Sequence, residues 1–257
     1  MAEVDAIESL TTFRHGREGP GQRGVASGAI LFDAARLRQA EPAWFDPAYW
    51  GARAQPVAAG GRGGAWYVDA PFGAAVLRHY LRGGLAARMS RDRYAWLGES
   101  RTRSFAEYRV TETLLREGLP VPAPFAASYE RSGASYRAAI LLQRLPQVRT
   151  FAQCVANAPS AAPWESAGAL VARFHRAGLD HADLNAHNLL FDGEGRGWLI
   201  DFDRARLRAP GDTWRRNNLE RLLRSLHKLR GARSRAEVER DFLRLRAAYD
   251  AALDGRA

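Results

Sequence analysis

An α+β fold, with a small antiparallel β-rich first lobe and a helix-rich second lobe, is what this sequence predicts, and three observations predict it. Short apolar runs bounded by turn residues crowd the first 145 residues. Apolar residues recur at helical spacing after Trp164. The composition, 46% hydrophobic and 26% charged over 257 residues, is that of a globular chain able to bury a sizeable core. The expected organisation is one domain of two lobes: residues 1–145, an N-terminal extension and β-rich lobe, and residues 146–257, a helical lobe.

The elements follow in order. Residues 16–28 are glycine-rich and are expected to be mobile, whereas EPAWFDPAYW (41–50), two prolines among four aromatics, should form an ordered, packed loop. GGRGG (60–64) precedes AWYVD (65–69) and AAVLRHY (74–80), which the turn APFG joins into an antiparallel pair. A helix is expected over 101–117, where Phe105, Tyr108, Leu114 and Leu115 share a face and Gly118 and Pro120 stop it. AAILLQRL (138–145) reads as a buried strand connecting the lobes. Trp164, Ala167, Val171 and Phe174 mark an amphipathic helix that Gly178 ends. LLF (189–191), the turn DGEG (192–195) and WLI (198–200) form a hairpin, and 212–254 is mostly helical in pattern.

The net charge of +10 points to anionic partners. Lys228 is the only lysine among 38 basic residues, so chemistry that requires a lysine has one candidate. No apolar run approaches the ~20 residues of a spanning helix, and the start MAEVDAIESL lacks the basic flank of a signal peptide. A cytoplasmic location is therefore expected. Cys154, the single cysteine, reads as a small core residue.

The chemistry concentrates in HADLNAHNLL (181–190). Asn188 stands just before one hairpin strand and Asp201 just after its partner, so antiparallel pairing brings an amide oxygen and a carboxylate to one end of the ribbon. Such a pair suits Mg²⁺, which takes a few protein oxygens and completes its shell with water and phosphate. Asp183, five residues upstream, is left to accept a proton from a hydroxyl. His181 and His187 are six apart in a loop, a poor match to zinc spacing.

This H-x-D-x-x-x-x-N spacing, followed by a hairpin and D-F, resembles the catalytic core of protein-kinase-like phosphotransferases. The resemblance implies that Asp183 is the base, that His181 buttresses the loop and that Asn188 and Asp201 hold the metal on ATP. Asp203 makes the motif DFD where protein kinases have DFG; it is either a second metal ligand or a turn residue. Asn185 stands where many members have a lysine, and both departures favour a small-molecule or glycan acceptor. In the first lobe Gly61, Gly63 and Gly64 are candidates to cover the nucleotide phosphates. Arg78 occupies the strand position of the phosphate-binding lysine, and Glu107 is either its partner or an exposed helix acid.

The runs FDPAYW, VLRHYLRGGLAARMSRDRYAWLGESRTRSFAEYR, LPVPAP, HADLNAHNLL and WLIDFDRARLRAPGDTWRRNNLERLLRSLHKL are together similar to the 3-deoxy-D-manno-octulosonic acid (Kdo) kinase family, across most of residues 44–230. That resemblance implies ATP and Mg²⁺ as cofactors and a Kdo-lipid A precursor as acceptor, phosphorylated on the Kdo 4-hydroxyl. It also implies peripheral association with the cytoplasmic face of the inner membrane, and no nucleic-acid partner. Arg82, Arg88, Arg91 and Arg93, with Tyr94 and Trp96, form either an acceptor-binding segment or a solvated loop. The arginines of 204–230 form either a membrane-facing helix or a solvated one. An aminoglycoside- or choline-type kinase is the rival enzyme, and a basic pseudokinase or nucleic-acid-binding module is the non-enzymatic rival.

Overall fold

The computed structural model describes residues 8–16, 25–57, 64–82 and 92–255. The chain divides into two units, Met1–Arg109 with Ala123–Arg144, and Val110–Pro122 with Leu145–Ala257.

The first unit is built on an antiparallel eight-stranded sheet. Its strands are β1 (Glu8–Gly16), β2 (Val25–Asp33), β3 (Ala54–Pro56), β4 (Ala65–Ala70), β5 (Gly73–His79), β6 (Tyr94–Ala95), β7 (Pro124–Ser132) and β8 (Ser135–Gln143). They pair in the order β1-β2-β7-β8-β5-β4-β3, with β6 added against β8. The expected β4–β5 hairpin forms with Val68 opposite Ala75. Side chains alternate across the sheet, as the pleat requires. Ala29, Leu31, Ala127 and Ile140 face a cluster with Phe105 and Tyr108, while Ile30, Phe32, Val68 and Leu141 face another with Phe45 and Trp50.

One expectation needs correction here. Residues 25–28 are not a mobile stretch: they open β2, and Gly28 is glycine because a Cβ there would collide with the Tyr129 carbonyl and the Phe13 ring. The buried strand expected at 138–145 is β8, which lies inside the sheet between β7 and β5. The packed loop at 41–50 is ordered. It holds a 3-10 turn (Pro42–Phe45) and the short helix α1 (Pro47–Trp50), where Asp46 accepts from Ala48 N at 2.9 Å and the Trp50 indole donates to Trp44 O at 2.8 Å.

Helix α2 (Arg103–Arg116) fills the expected 101–117 window and ends at Gly118, whose φ of +74° suits glycine. Its residues from Val110 onward belong to the second unit, which continues with β9 (Arg149–Thr150) and the helices α3 (Phe151–Asn157) and α4 (Trp164–Arg176). Then come β10 (Leu179–Asp180), β11 (Leu189–Phe191), β12 (Gly197–Leu199), β13 (Arg206–Leu207), α5 (Asp212–Lys228) and α6 (Arg235–Leu253). Capping boxes at Thr150/Gln153 and Ser234/Glu237 start α3 and α6. Phe151, Trp164, Phe174, Phe191, Leu222 and Leu245 belong to one core, which Cys154 joins as a buried small residue. The α4 backbone approaches α6 closely at Gly168, where a Cβ would overlap the Leu245 carbonyl. The predicted hairpin is β11–β12, with Leu189 opposite Leu199, and β9 pairs with the other edge of β11.

Candidate active site

Residues 181–188 link β10 to the β11–β12 hairpin, and their bonds bring the predicted residues together. Ile200 N donates to Asn188 O at 3.0 Å, so Asn188 lies opposite Ile200, one residue short of Asp201. The Asn188 amide nitrogen donates to Asp183 O at 3.0 Å, and the Asn185 amide donates to the same carbonyl at 2.9 Å. With its nitrogen so used, Asn188, 7% exposed, has its side-chain oxygen left for a cation. Asp183 is exposed, and among the described residues its carboxylate makes no hydrogen bond or ion pair.

Asp201 adopts φ +69°, one of two non-glycine residues with positive φ among the described residues. A left-handed conformation costs an ordinary side chain of order 1–3 kcal/mol, and aspartate is among those that tolerate it best. The strained bend directly follows the strand end that Asn188 faces. An oxygen pair of amide and carboxylate is the donor set Mg²⁺ accepts, so these residues fit the ion. Among the described residues there is no group of three or more His, Cys, Asp or Glu able to hold a metal. Asp203 lies in a turn, within the span that the Ala205 N to Phe202 O bond of 2.9 Å closes.

His181 is 2% exposed and packs on the Phe202 ring, with centroids 5.6 Å apart. Its Nε2 lies 3.0 Å from Ile200 O, an acceptor only, so Nε2 carries the proton and donates. Nδ1 accepts from Asp183 N at 3.3 Å. The neutral ring therefore joins the backbone at Asp183 to the strand end before Asp201, as a buttress would. Burial holds its pKa below the usual histidine value, against the pull of Ile200 O, Asp201 and Asp183.

His175, on α4, is buried with Nδ1 2.8 Å from the Tyr249 hydroxyl, and burial pushes its pKa down from 6.5 to about 3. Both histidines have folded values below the unfolded one, so their stabilisation is complete above about pH 6.5 and is lost as pH falls towards the folded values. Stability is expected to fall by on the order of a few kcal/mol between pH 6.5 and 3. Urea midpoints measured across that range check this, with His175→Gln flattening the slope; a flat profile in the unaltered protein would refute it.

In the first unit, Arg78 on β5 and Glu107 on α2 form an ion pair through Nη2 and Oε2, with the Glu107 side chain fully buried. The Tyr80 hydroxyl donates to the same Glu107 oxygen at 2.5 Å. Glu107 is thus no exposed helix acid. Gly61 and Gly63 lie outside the described residues; Gly64 accepts from His79 N at 2.7 Å and packs on Leu81.

Arg88 and Arg91 also lie outside the described residues. Tyr94 is buried beneath Arg82 and Arg103, and Trp96 packs on Tyr129 under Arg131. The stretch 204–230 is helical only from Asp212 to Lys228. Two of its arginines serve the fold: Arg208 pairs with Asp180 at 2.9 Å and Arg215 donates to His175 O at 3.1 Å. No helix among the described residues is long and apolar enough to cross a membrane.

Asn218 on α5 is not singled out by the charge pattern of that helix, yet it is a 3%-exposed polar residue beside Leu219 and Leu222. It accepts from His181 N at 2.8 Å and donates to Asp180 at 2.9 Å. A lone amide on the apolar face of a predicted helix was the available signal.

Comparison with known proteins adds identity to this geometry. Residues 47–249 match the model of the lipopolysaccharide kinase (Kdo/WaaP) family. A 3-deoxy-D-manno-octulosonic acid kinase of Stenotrophomonas maltophilia is 60% identical over 252 residues, 98% of each chain. A protein of the same name from Xanthomonas axonopodis pv. citri is equally similar over the same span. A solved structure of WaaP in complex with acyl carrier protein aligns with 80% of this chain and 94% of that one, at 18% identity and a TM-score of 0.44. With the family model covering most of its length and relatives matching nearly end to end, this chain belongs to the lipopolysaccharide kinase (Kdo/WaaP) family.

Proposed function

We propose that this chain is a Kdo kinase, transferring the γ-phosphoryl group of ATP to the 4-hydroxyl of the Kdo residue on a Kdo-lipid A precursor. The observation that carries the reading is the 60% identity, over 98% of the chain, to proteins named 3-deoxy-D-manno-octulosonic acid kinase. The polar loop supports it with chemistry. Phosphoryl transfer demands in-line placement and charge neutralisation more than covalent help. Asp183 orients the acceptor hydroxyl and takes its proton as the new P–O bond forms and the bond to ADP breaks. His181 fixes the main chain on which Asp183 rides. Asn188 and Asp201 would hold Mg²⁺, with Asp203 as a candidate further oxygen ligand, and the ion would neutralise charge on the nucleotide phosphates.

In the first unit, Arg78 is the proposed phosphate contact, held by buried Glu107, with Gly61, Gly63 and Gly64 supplying backbone N–H groups. A guanidinium keeps its charge in such a setting and offers several donors, which suits it to replace the usual ammonium. On this reading the β-rich first unit serves the nucleotide and the helical second unit the transfer. A basic chain acting on an acidic glycolipid would associate with the inner face of the membrane peripherally, through charge.

The test offers the purified protein ATP, Mg²⁺ and Kdo-lipid A precursor. One phosphate is expected on the Kdo sugar, located by mass fragmentation. No gain there, or a gain only on an aminoglycoside or choline offered in parallel, would overturn the assignment.

A further inference from the structure

The segment that bears Asp183 is irregular backbone between two short strands, so something outside it must set its position. One helix face does so at two places. On α5, Asn218 and Ser225 are seven residues apart, two turns and about 10 Å along the axis, and so share a stripe. Asn218 Oδ1 accepts from His181 N at 2.8 Å, while its amide donates to Asp180 Oδ1 at 2.9 Å. Ser225 Oγ accepts from Ala186 N at 3.0 Å and donates to Leu222 O at 2.7 Å. Ala186 is gripped from its other side too, its carbonyl accepting from Ala152 N of α3 at 2.9 Å. Asp183 lies between these anchors, with its own carbonyl fixed by Asn185 and Asn188.

We infer that Asn218 and Ser225 are positioning residues: a two-point clamp on α5 that sets where the Asp183 carboxylate stands. The inference rests on the reading of Asp183 as the hydroxyl-orienting base. It also explains why position 218 carries an amide. The site needs an acceptor for the His181 N–H and a donor to the Asp180 carboxylate at once, and the carboxamide supplies both where a carboxylate would repel Asp180. Asp180 is further tied to Arg208 at 2.9 Å, so the clamp is anchored beyond the helix.

The test separates placement from folding. Asn218→Ala is expected to lower kcat per folded molecule by about 10²-fold, the cost of misplacing a reacting group by about 1 Å. KM for ATP and acceptor should change less than about threefold, since both clamp side chains are engaged with protein partners, Asn218 with His181 N and Asp180 and Ser225 with Ala186 N and Leu222 O. Ser225→Ala should lower kcat by roughly tenfold, releasing one of two anchors. Asn218→Asp should resemble Asn218→Ala. Adding Asp180→Asn should then restore most of the activity, because the amide now at 180 donates to the carboxylate at 218 and still accepts from Arg208.

Hydrogen exchange of the His181 and Ala186 amides supplies a readout that needs no turnover: both should exchange faster in the respective alanine variants while the α4 and α6 amides stay protected. Unchanged kcat with unchanged exchange in Asn218→Ala, or failure of the folded double variant to recover, would overturn the clamp. If the unaltered protein transfers no phosphate to Kdo, the proposed function falls instead, and the exchange rates alone decide the clamp.

Discussion

Asp183→Ala is expected to lower phosphate transfer to the Kdo acceptor by roughly 10²- to 10⁴-fold, the usual worth of a positioned acid or base. It should do so without loosening the protein. The loop is organised through the Asp183 main chain: its carbonyl receives the Asn185 and Asn188 amides, and its N–H is taken by His181. The carboxylate itself is exposed and makes no bond among the described residues. Truncating it should therefore change stability by less than about 0.5 kcal/mol. The loss should appear in kcat with nucleotide affinity retained, so ATP-induced thermal stabilisation of the variant should equal that of the unaltered protein. Transfer at more than a tenth of the normal rate would remove Asp183 from the reaction.

The second large effect is expected at Asp201. Asp201→Asn keeps side-chain shape and suits the left-handed backbone at φ +69°, where asparagine is at ease, so the bend should survive. What it removes is charge. Transfer should fall by at least about 10²-fold, as when a group facing developing charge is lost. The Mg²⁺-dependent part of ATP binding, measured by titration with and without the ion, should disappear. Metal-dependent ATP affinity equal to that of the unaltered protein would exclude Asp201 as a ligand.

The hairpin and the loop before it were legible because their signals are local. LLF and WLI flank a four-residue turn rich in glycine, and the loop residues lie within a few positions of it. The same holds for α4, whose apolar residues repeat at helical spacing up to Gly178. Most of the sheet was not legible. β2 contains Gly28 and looks like a loop until Tyr129 and Phe13 are seen to occupy the space a side chain would need. β7 mixes Ser128, Glu130 and Arg131 with alanines behind a proline; its pairing with β2 and β8 makes it a strand. Asn218 belongs to the same class. The helix was readable, but the His181 N–H it serves is 37 residues away, and only the fold joins them. Tyr94 and Trp96 were read as part of either an acceptor-binding segment or a solvated loop; the Tyr94 ring belongs to the core and the half-buried Trp96 packs against it, contacts that only the folded sheet provides.

The left-handed bend at Asp201 also bears on how this protein can be engineered. Glycine adopts such a bend at no steric cost, so a selection for heat tolerance alone would admit a residue without a carboxylate there. On the reading of Asp201 as a metal ligand, a library ranked by melting point alone would then admit inactive variants unless position 201 is held constant.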